Sequence, residues 1–345
     1  MAEEATPQWQ RFSCRNLPCN SYEVTVVMAS TSTGSCIFLF GAGASAFSSG
    51  VTPKSPPLGN RLFEELCEFD PYFGQLDQPL KDEFRGNFES GMARFHSERL
   101  TELSTFLCRM SLYFLQFKIS QTENNIYCRV VEFIQRVQRP LYLATLNYDL
   151  LLEHALLLGG CIPNWQAVGR AVLKLHGSPI FLVGEETIKI FTNVLIVNKN
   201  PSGAALESTI SVADPDRARE YCKDILAFGR PAAPAISAYV IGKNVPYNPS
   251  YVKGMQQAFA NFLTTADSIV LVGINLNEED SHIWDPIAAS PARIGVVNPD
   301  FKQYTEWGAR RGRNVELICE KVGDMLGSPI VDLMKFVDGS ALSRR

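Results

Sequence analysis

Five short polar blocks, each following an apolar run, gather the reactive side chains of this chain. The first is Gly41-Ala42-Gly43-Ala44-Ser45, continued by Ala46. Its Gly-x-Gly-x-x-Ala spacing turns a backbone tightly and brings N–H groups up to a pyrophosphate. Ser45 adds a hydroxyl to that lining, or serves as an ordinary helix cap. The second block carries Asn147 and Asp149, the third His176 and Ser178, the fourth Gly273 and Asn275, and the fifth Asn298 and Asp300. A histidine near a carboxamide suffices for general-base work on a water or a hydroxyl, provided other groups bind and orient the reactant. Asp149 either reaches a ligand or caps the helix that follows it, and both readings stand. His96, among charged residues on a helix, His154, inside a helix, and His282, after an acidic loop, read as structural or solvated. Asp280 belongs to that acidic loop and either orders it near a ligand or is simply solvated.

Placing these blocks together requires a sheet. Ile37–Phe40, Leu141–Leu146, Ala171–Leu175, Ser268–Val272 and Arg293–Val297 are short apolar runs of the kind found in strands buried on both faces, with Ile236–Ile241 and Val315–Ile318 as weaker candidates. Between them lie helical stripes. Phe84, Phe88, Met92, Phe95, Leu103, Phe106, Met110, Phe114 and Phe117 fall at helical spacing with a break around Arg99, and Ile126 to Val137 forms another stripe stopped by Pro140. Asp149 precedes an apolar helix, Leu150–Leu158, closed by Gly159 and Gly160. This alternation predicts an α/β fold, a doubly wound and mostly parallel Rossmann-like sheet with a helical insertion over about 79–137. In such a sheet ligands sit outside the carboxyl ends of the strands, and all five blocks fall there. One stretch breaks the pattern of a dehydrogenase: Ser48–Asn60, with Pro53, Pro56 and Pro57, cannot be the helix that should follow the glycine turn.

The chain has 345 residues, 46% of them hydrophobic, enough for one large core. A polar segment, 1–35, precedes the main domain, 36–335, and a tail, 336–345, follows it. The net charge of -4 advertises neither nucleic acid nor an anionic membrane as partner. No apolar stretch approaches the roughly 20 residues of a membrane helix. The nine cysteines are scattered with no Cys-x-x-Cys pair, which predicts no metal site and no disulfide framework and suits the reducing cytoplasm.

Taken in order, "GAGAS", "TLNYD", "LHGS", "VGIN" and "VVNPD" resemble the sirtuin-like NAD-binding fold, across roughly Ile37 to Asp300. The proline-rich stretch fits that resemblance, since in sirtuins the glycine turn leads into a cofactor-binding loop. Two departures matter. The paired Cys-x-x-Cys zinc module of the protein deacylases is absent, its interval holding only Cys222, and "TPKSPPLGNR" stands where those enzymes carry Pro-Asp-Phe-Arg. The chain is thereby similar to the zinc-free sirtuin-like domains of bacterial antiphage systems, which hydrolyse NAD and work with a second protein such as a HerA-type ATPase or an Argonaute.

That resemblance implies NAD as substrate, cleaved to nicotinamide and ADP-ribose. His176 is then the base, Asn147 holds the nicotinamide ribose and the attacking water, and Asp149 contacts the nicotinamide end. Gly41, Ala42, Gly43, Ala44 and Ser45 line the pyrophosphate, Gly273 and Asn275 approach phosphates and ribose, and Asn298 approaches the adenosine. The rivals are a deacylase or ADP-ribosyltransferase and a non-catalytic sensor of NAD or ADP-ribose. An enzyme that drains NAD needs a switch, and assembly is the expected one: a homo-oligomer whose helical stripe, Phe84 to Phe117, either meets a second copy or partner or packs on its own sheet.

Overall fold

The computed structural model describes residues 9–13, 23–27, 34–137, 139–184, 207–237, 246–325, 327 and 330–339. Six parallel strands form its centre: β1 (Cys36–Phe40), β2 (Leu141–Thr145), β3 (Val172–Lys174), β4 (Ser268–Val272), β5 (Arg293–Val297) and β6 (Val315–Cys319). Every residue of β1 and β4 is buried, as a strand covered on both faces requires. Register is direct, Ile37 lying opposite Tyr142 on one side and Ile269 on the other. Numbered along the chain, the parallel strands stand in the order 3-2-1-4-5-6, that of a doubly wound Rossmann-like sheet. Within the polar segment 1–35, Trp9–Ser13 and Glu23–Val27 pair antiparallel and join β2 through Val27 and Leu141. Val315–Cys319, a weak expectation, is a full strand, whereas Ile236 makes only an isolated bridge to Gly177 and 238–245 lie outside the described residues.

The order reverses between β1 and β4, and there two turns are fastened together. Gly41 N donates to Val272 O at 2.9 Å, Gly43 N to Gly273 O at 2.8 Å, and Gly273 N to Val297 O at 2.9 Å. Gly273 adopts φ +60°, and a Cβ on it would lie 2.5 Å from Ala44 N. Only glycine fits so close an approach in that conformation. After Gly41 the chain enters a single short helix, α1 (Ala42–Ala46).

The insertion comprises α2 (Leu62–Phe69), α3 (Pro71–Gly74), α4 (Gln78–Gly86), α5 (Phe88–Glu98) and α6 (Leu103–Phe114), followed by α7 (Ile126–Arg136), which lies on the sheet. Phe106 is the hub of an aromatic core, its ring centroid 4.6 Å from that of Phe95, 5.0 Å from Phe73 and 5.5 Å from Phe84. All nine residues of the expected stripe are buried. The stripe is therefore the insertion's own core, and its apolar side chains are not available to a partner. The Ser48–Asn60 loop is tied to the same module: Val51–Thr52 pairs with Lys118–Ile119, and Ser48 Oγ accepts from Ile126 N at 3.2 Å. Further helices include α8 (Leu151–Leu158), α9 (Pro215–Phe228), α10 (Pro249–Leu263), α11 (Ser281–Ala289), α12 (Phe301–Arg311) and α13 (Ile330–Val337).

Gly273→Ala combines a left-handed conformation with a backbone clash, so it should lower unfolding stability by about 2 kcal/mol or more. Urea denaturation of the purified variant measures this, and an unchanged midpoint would remove the tight turn from the account.

Candidate active site

The five polar blocks do meet at one edge of the sheet, each just past a strand. Gly41 to Ser45 follow β1, Asn147 and Asp149 follow β2, His176 follows β3, Gly273 and Asn275 follow β4, and Asn298 follows β5. Asn147 is the best determined of them. Its Nδ2 donates toward Gly41 O at 2.9 Å, Ser45 Oγ at 3.0 Å and Tyr127 OH at 3.2 Å, while its own N–H is held by Thr145 Oγ1 at 3.0 Å. A carbonyl can only accept, so the bond to Gly41 O fixes which end of the amide faces inward. Among the described residues Oδ1 makes no hydrogen bond, and Asn147 retains 8% exposure. Its free end is therefore an acceptor.

Tyr127 is a site residue that sequence reading missed. It comes from the first turn of α7, where Asn125 Oδ1 caps the helix by accepting from Tyr127 N at 3.1 Å. Its ring lies edge-on to Phe40 at 5.5 Å, and its hydroxyl meets Ser45 Oγ at 2.8 Å. Burial pushes the phenol well above its ordinary range, so it remains a neutral hydroxyl in this network. In the sequence Tyr127 is one member of an apolar stripe, and nothing local distinguishes it.

Beneath Asn147 lies a buried charge cluster that was equally hidden. Lys174, the last residue of β3, pairs with Glu153 of α8 at 2.7 Å, both side chains having no exposure. Lys174 Nζ also donates to Asp149 O at 2.8 Å. Asp149 is 4% exposed, and its Oδ1 accepts from Leu151 N at 3.2 Å, so it steadies the start of α8 although the helix cap itself is Leu150. Burial raises the Asp149 carboxyl, opposed by the Lys174 ammonium, the Ser45 hydroxyl and the Leu151 N–H. Burial likewise raises Glu153 against Lys174.

His176 is 4% exposed and its backbone is clamped. Ser237 N donates to His176 O at 2.8 Å, Ser178 N to Ala235 O at 2.9 Å, and Gly177, at φ +77°, would place a Cβ 2.0 Å from Ala235 O. Tyr148 OH secures the facing segment through Ser237 O at 3.1 Å. The His176 ring lies 6.4 Å from that of Tyr148 and 5.4 Å from that of His282. His282, expected to be unremarkable, thus stands within the site.

On the other side the amides divide. Asn275 is exposed, whereas Asn298 is buried with Nδ2 on Ile274 O and Oδ1 on Asp300 N at 2.9 Å. Asn298 braces the Gly273–Asn275 turn. Gly41, Gly43 and Ala44 also spend their N–H groups within the protein, on Val272, Gly273 and Gly41 carbonyls, so the glycines serve close packing first. A cleft of about 200 Å³ opens beside exposed Phe47, lined by Ser49, Asn124, Arg129 and Gly323 among others. Among the described residues no three histidine, cysteine, aspartate or glutamate side chains gather as a metal site, and no helix is long and apolar enough to cross a membrane.

No family model matches this chain and no curated protein matches it. Similar solved structures exist. One, from work on the structural basis for the mechanism and regulation of Sir2 enzymes, is 15% identical with TM-score 0.42, covering 89% of this chain and 92% of its own. A mutant Sir2 homologue in complex with 2′-O-acetyl ADP-ribose is 16% identical with TM-score 0.44, covering 88% and 93%. A further Sir2 homologue mutant, with ADP-ribose, is 16% identical with TM-score 0.42 over 88% and 92%.

Because burial raises the folded-state carboxyl of Asp149, its contribution to stability is fullest in acid and is lost as pH rises through the raised value. Asp149→Asn, neutral and of the same shape, should therefore melt no lower than the wild type at pH 7, any advantage shrinking as pH falls toward about 4. Thermal melts across that range check it. A variant much less stable at neutral pH, with the deficit vanishing in acid, would show that the Asp149 charge stabilises the fold.

Proposed function

We propose that this chain hydrolyses NAD to nicotinamide and ADP-ribose. The observation that carries the reading is the oriented Asn147 amide, its nitrogen committed to the Gly41 and Ser45 oxygens and its Oδ1 without a hydrogen bond among the described residues, at a strand end next to that of buried His176. Nicotinamide in NAD is already a cationic leaving group, so its departure from ribose needs no strong acid. What remains is positioning, exclusion of bulk water, support for an oxocarbenium-like ribose, and a base. Asn147 Oδ1 accepts from the attacking water or a ribose hydroxyl. His176 takes the proton, from water directly or through a ribose hydroxyl, a role typically worth 10²–10⁴ in rate.

Asp149 acts from beneath, keeping Ser45 and the start of α8 in place at the nicotinamide end. The glycine turn after β1 shapes the floor under the pyrophosphate, and exposed Asn275, on a turn braced by Asn298, meets phosphate or ribose. Depletion of NAD in antiphage defence, a homo-oligomeric assembly and a regulatory partner of the HerA type are the setting that the motif set suggests. The buried Phe84 to Phe117 stripe directs any such contact to other surfaces.

Asn147→Ala and His176→Ala should each reduce nicotinamide release by about a hundredfold or more while far-UV circular dichroism stays that of the wild type. Undiminished turnover in a folded variant would remove that residue from the mechanism.

A further inference from the structure

Hydrolysis of NAD leaves one proton behind in every turnover. As the water oxygen bonds to C1′, the C1′–N bond breaks and its electron pair neutralises the nicotinamide ring, so the positive charge of the substrate departs as the proton taken from water. His176 receives that proton at 4% exposure, and must pass it on before the next cycle.

We propose that His282 is the residue through which His176 returns its proton to solvent, a relay and positioning residue for the hydrolysis. The inference rests on the hydrolase reading above. The chain has only four histidines, and the rings of two of them stand tilted at 52° to each other at this edge, centroids 5.4 Å apart. His282 is the less buried of the pair and sits in the first turn of α11. Its placement is built rather than incidental. Asn277 Nδ2, in the preceding loop, donates to Glu89 Oε2 of α5 at 3.1 Å, and Glu278 is held by Arg310 and Arg311 of α12, the latter at 3.1 Å. Ile283 N and Trp284 N both bond Asp280 O, at 2.8 and 3.1 Å, which fixes the turn that carries His282. The Tyr148 ring lies 6.4 Å from that of His176, and Asp280, 7% exposed, precedes His282 by two residues.

Nicotinamide release is measured for wild type, His282→Gln and His282→Ala at rising concentrations of imidazole buffer. The expected result is a fall in kcat of about tenfold or more in both variants, with KM for NAD within about twofold of wild type. Imidazole should restore His282→Ala, which leaves room for it, and not His282→Gln, whose side chain fills the space. A purely structural role would lower activity without that rescue. Wild-type kcat in both variants, or a loss that imidazole leaves untouched in His282→Ala, would overturn the relay. A wild-type protein that releases no nicotinamide would overturn the hydrolase reading itself, a failure visible before either variant is compared.

Discussion

Everything at the working edge depends on the contact between two glycine turns where the strand order reverses. Gly43 N reaches Gly273 O at 2.8 Å, and Gly273 sits so close to Ala44 that no side chain could stand between them. The contact locks the ends of β1 and β4 together and aims Gly41 O down onto the Asn147 amide. The amide in turn holds Ser45 and Tyr127, so a packing constraint in the backbone becomes an orientation constraint on a reactive group. Glycine here acts less by offering N–H groups than by letting two loops touch.

The floor beneath Asn147 is costly. Lys174 and Glu153 are both fully buried, and removing either partner of such a pair leaves an uncompensated charge, a loss of about 3–5 kcal/mol. An apolar pair would do as well for stability alone. The ammonium also holds the Asp149 carbonyl, and the Asp149 carboxylate is bonded to the first turn of α8. The cluster therefore ties β2, β3 and α8 together at the one level where Asn147 and His176 must keep their spacing. α7 adds a further tie through Tyr127, whose ring packs edge-on against Phe40 of β1 and whose hydroxyl meets the same amide.

Strands were legible because β1 is an unbroken apolar run and β4 and β5 are mostly apolar, and the blocks after them were legible because glycine, asparagine and histidine at strand ends break those runs abruptly. Lys174 was not, since a single lysine closing a short strand reads as a boundary rather than as half of a buried pair. Tyr127 and His282 were invisible for a related reason: each is brought to the site by tertiary packing from a distant helix, and neither stands in a local pattern that marks it. Asn298 shows the converse, a conspicuous residue whose amide is occupied in bracing a turn. The aromatic stripe was correctly placed on helices, but which way it faced depended on α2 to α6 folding around Phe106, and that has no local signal.

In the proposed hydrolysis a water molecule attacks the nicotinamide ribose under Asn147 and His176. Incubating the purified protein with NAD in ¹⁸O-labelled water and analysing the products by mass spectrometry tests this most directly. Release of nicotinamide together with ADP-ribose carrying one labelled oxygen is the predicted result. Intact NAD, or a ribosyl product without the label, would contradict it.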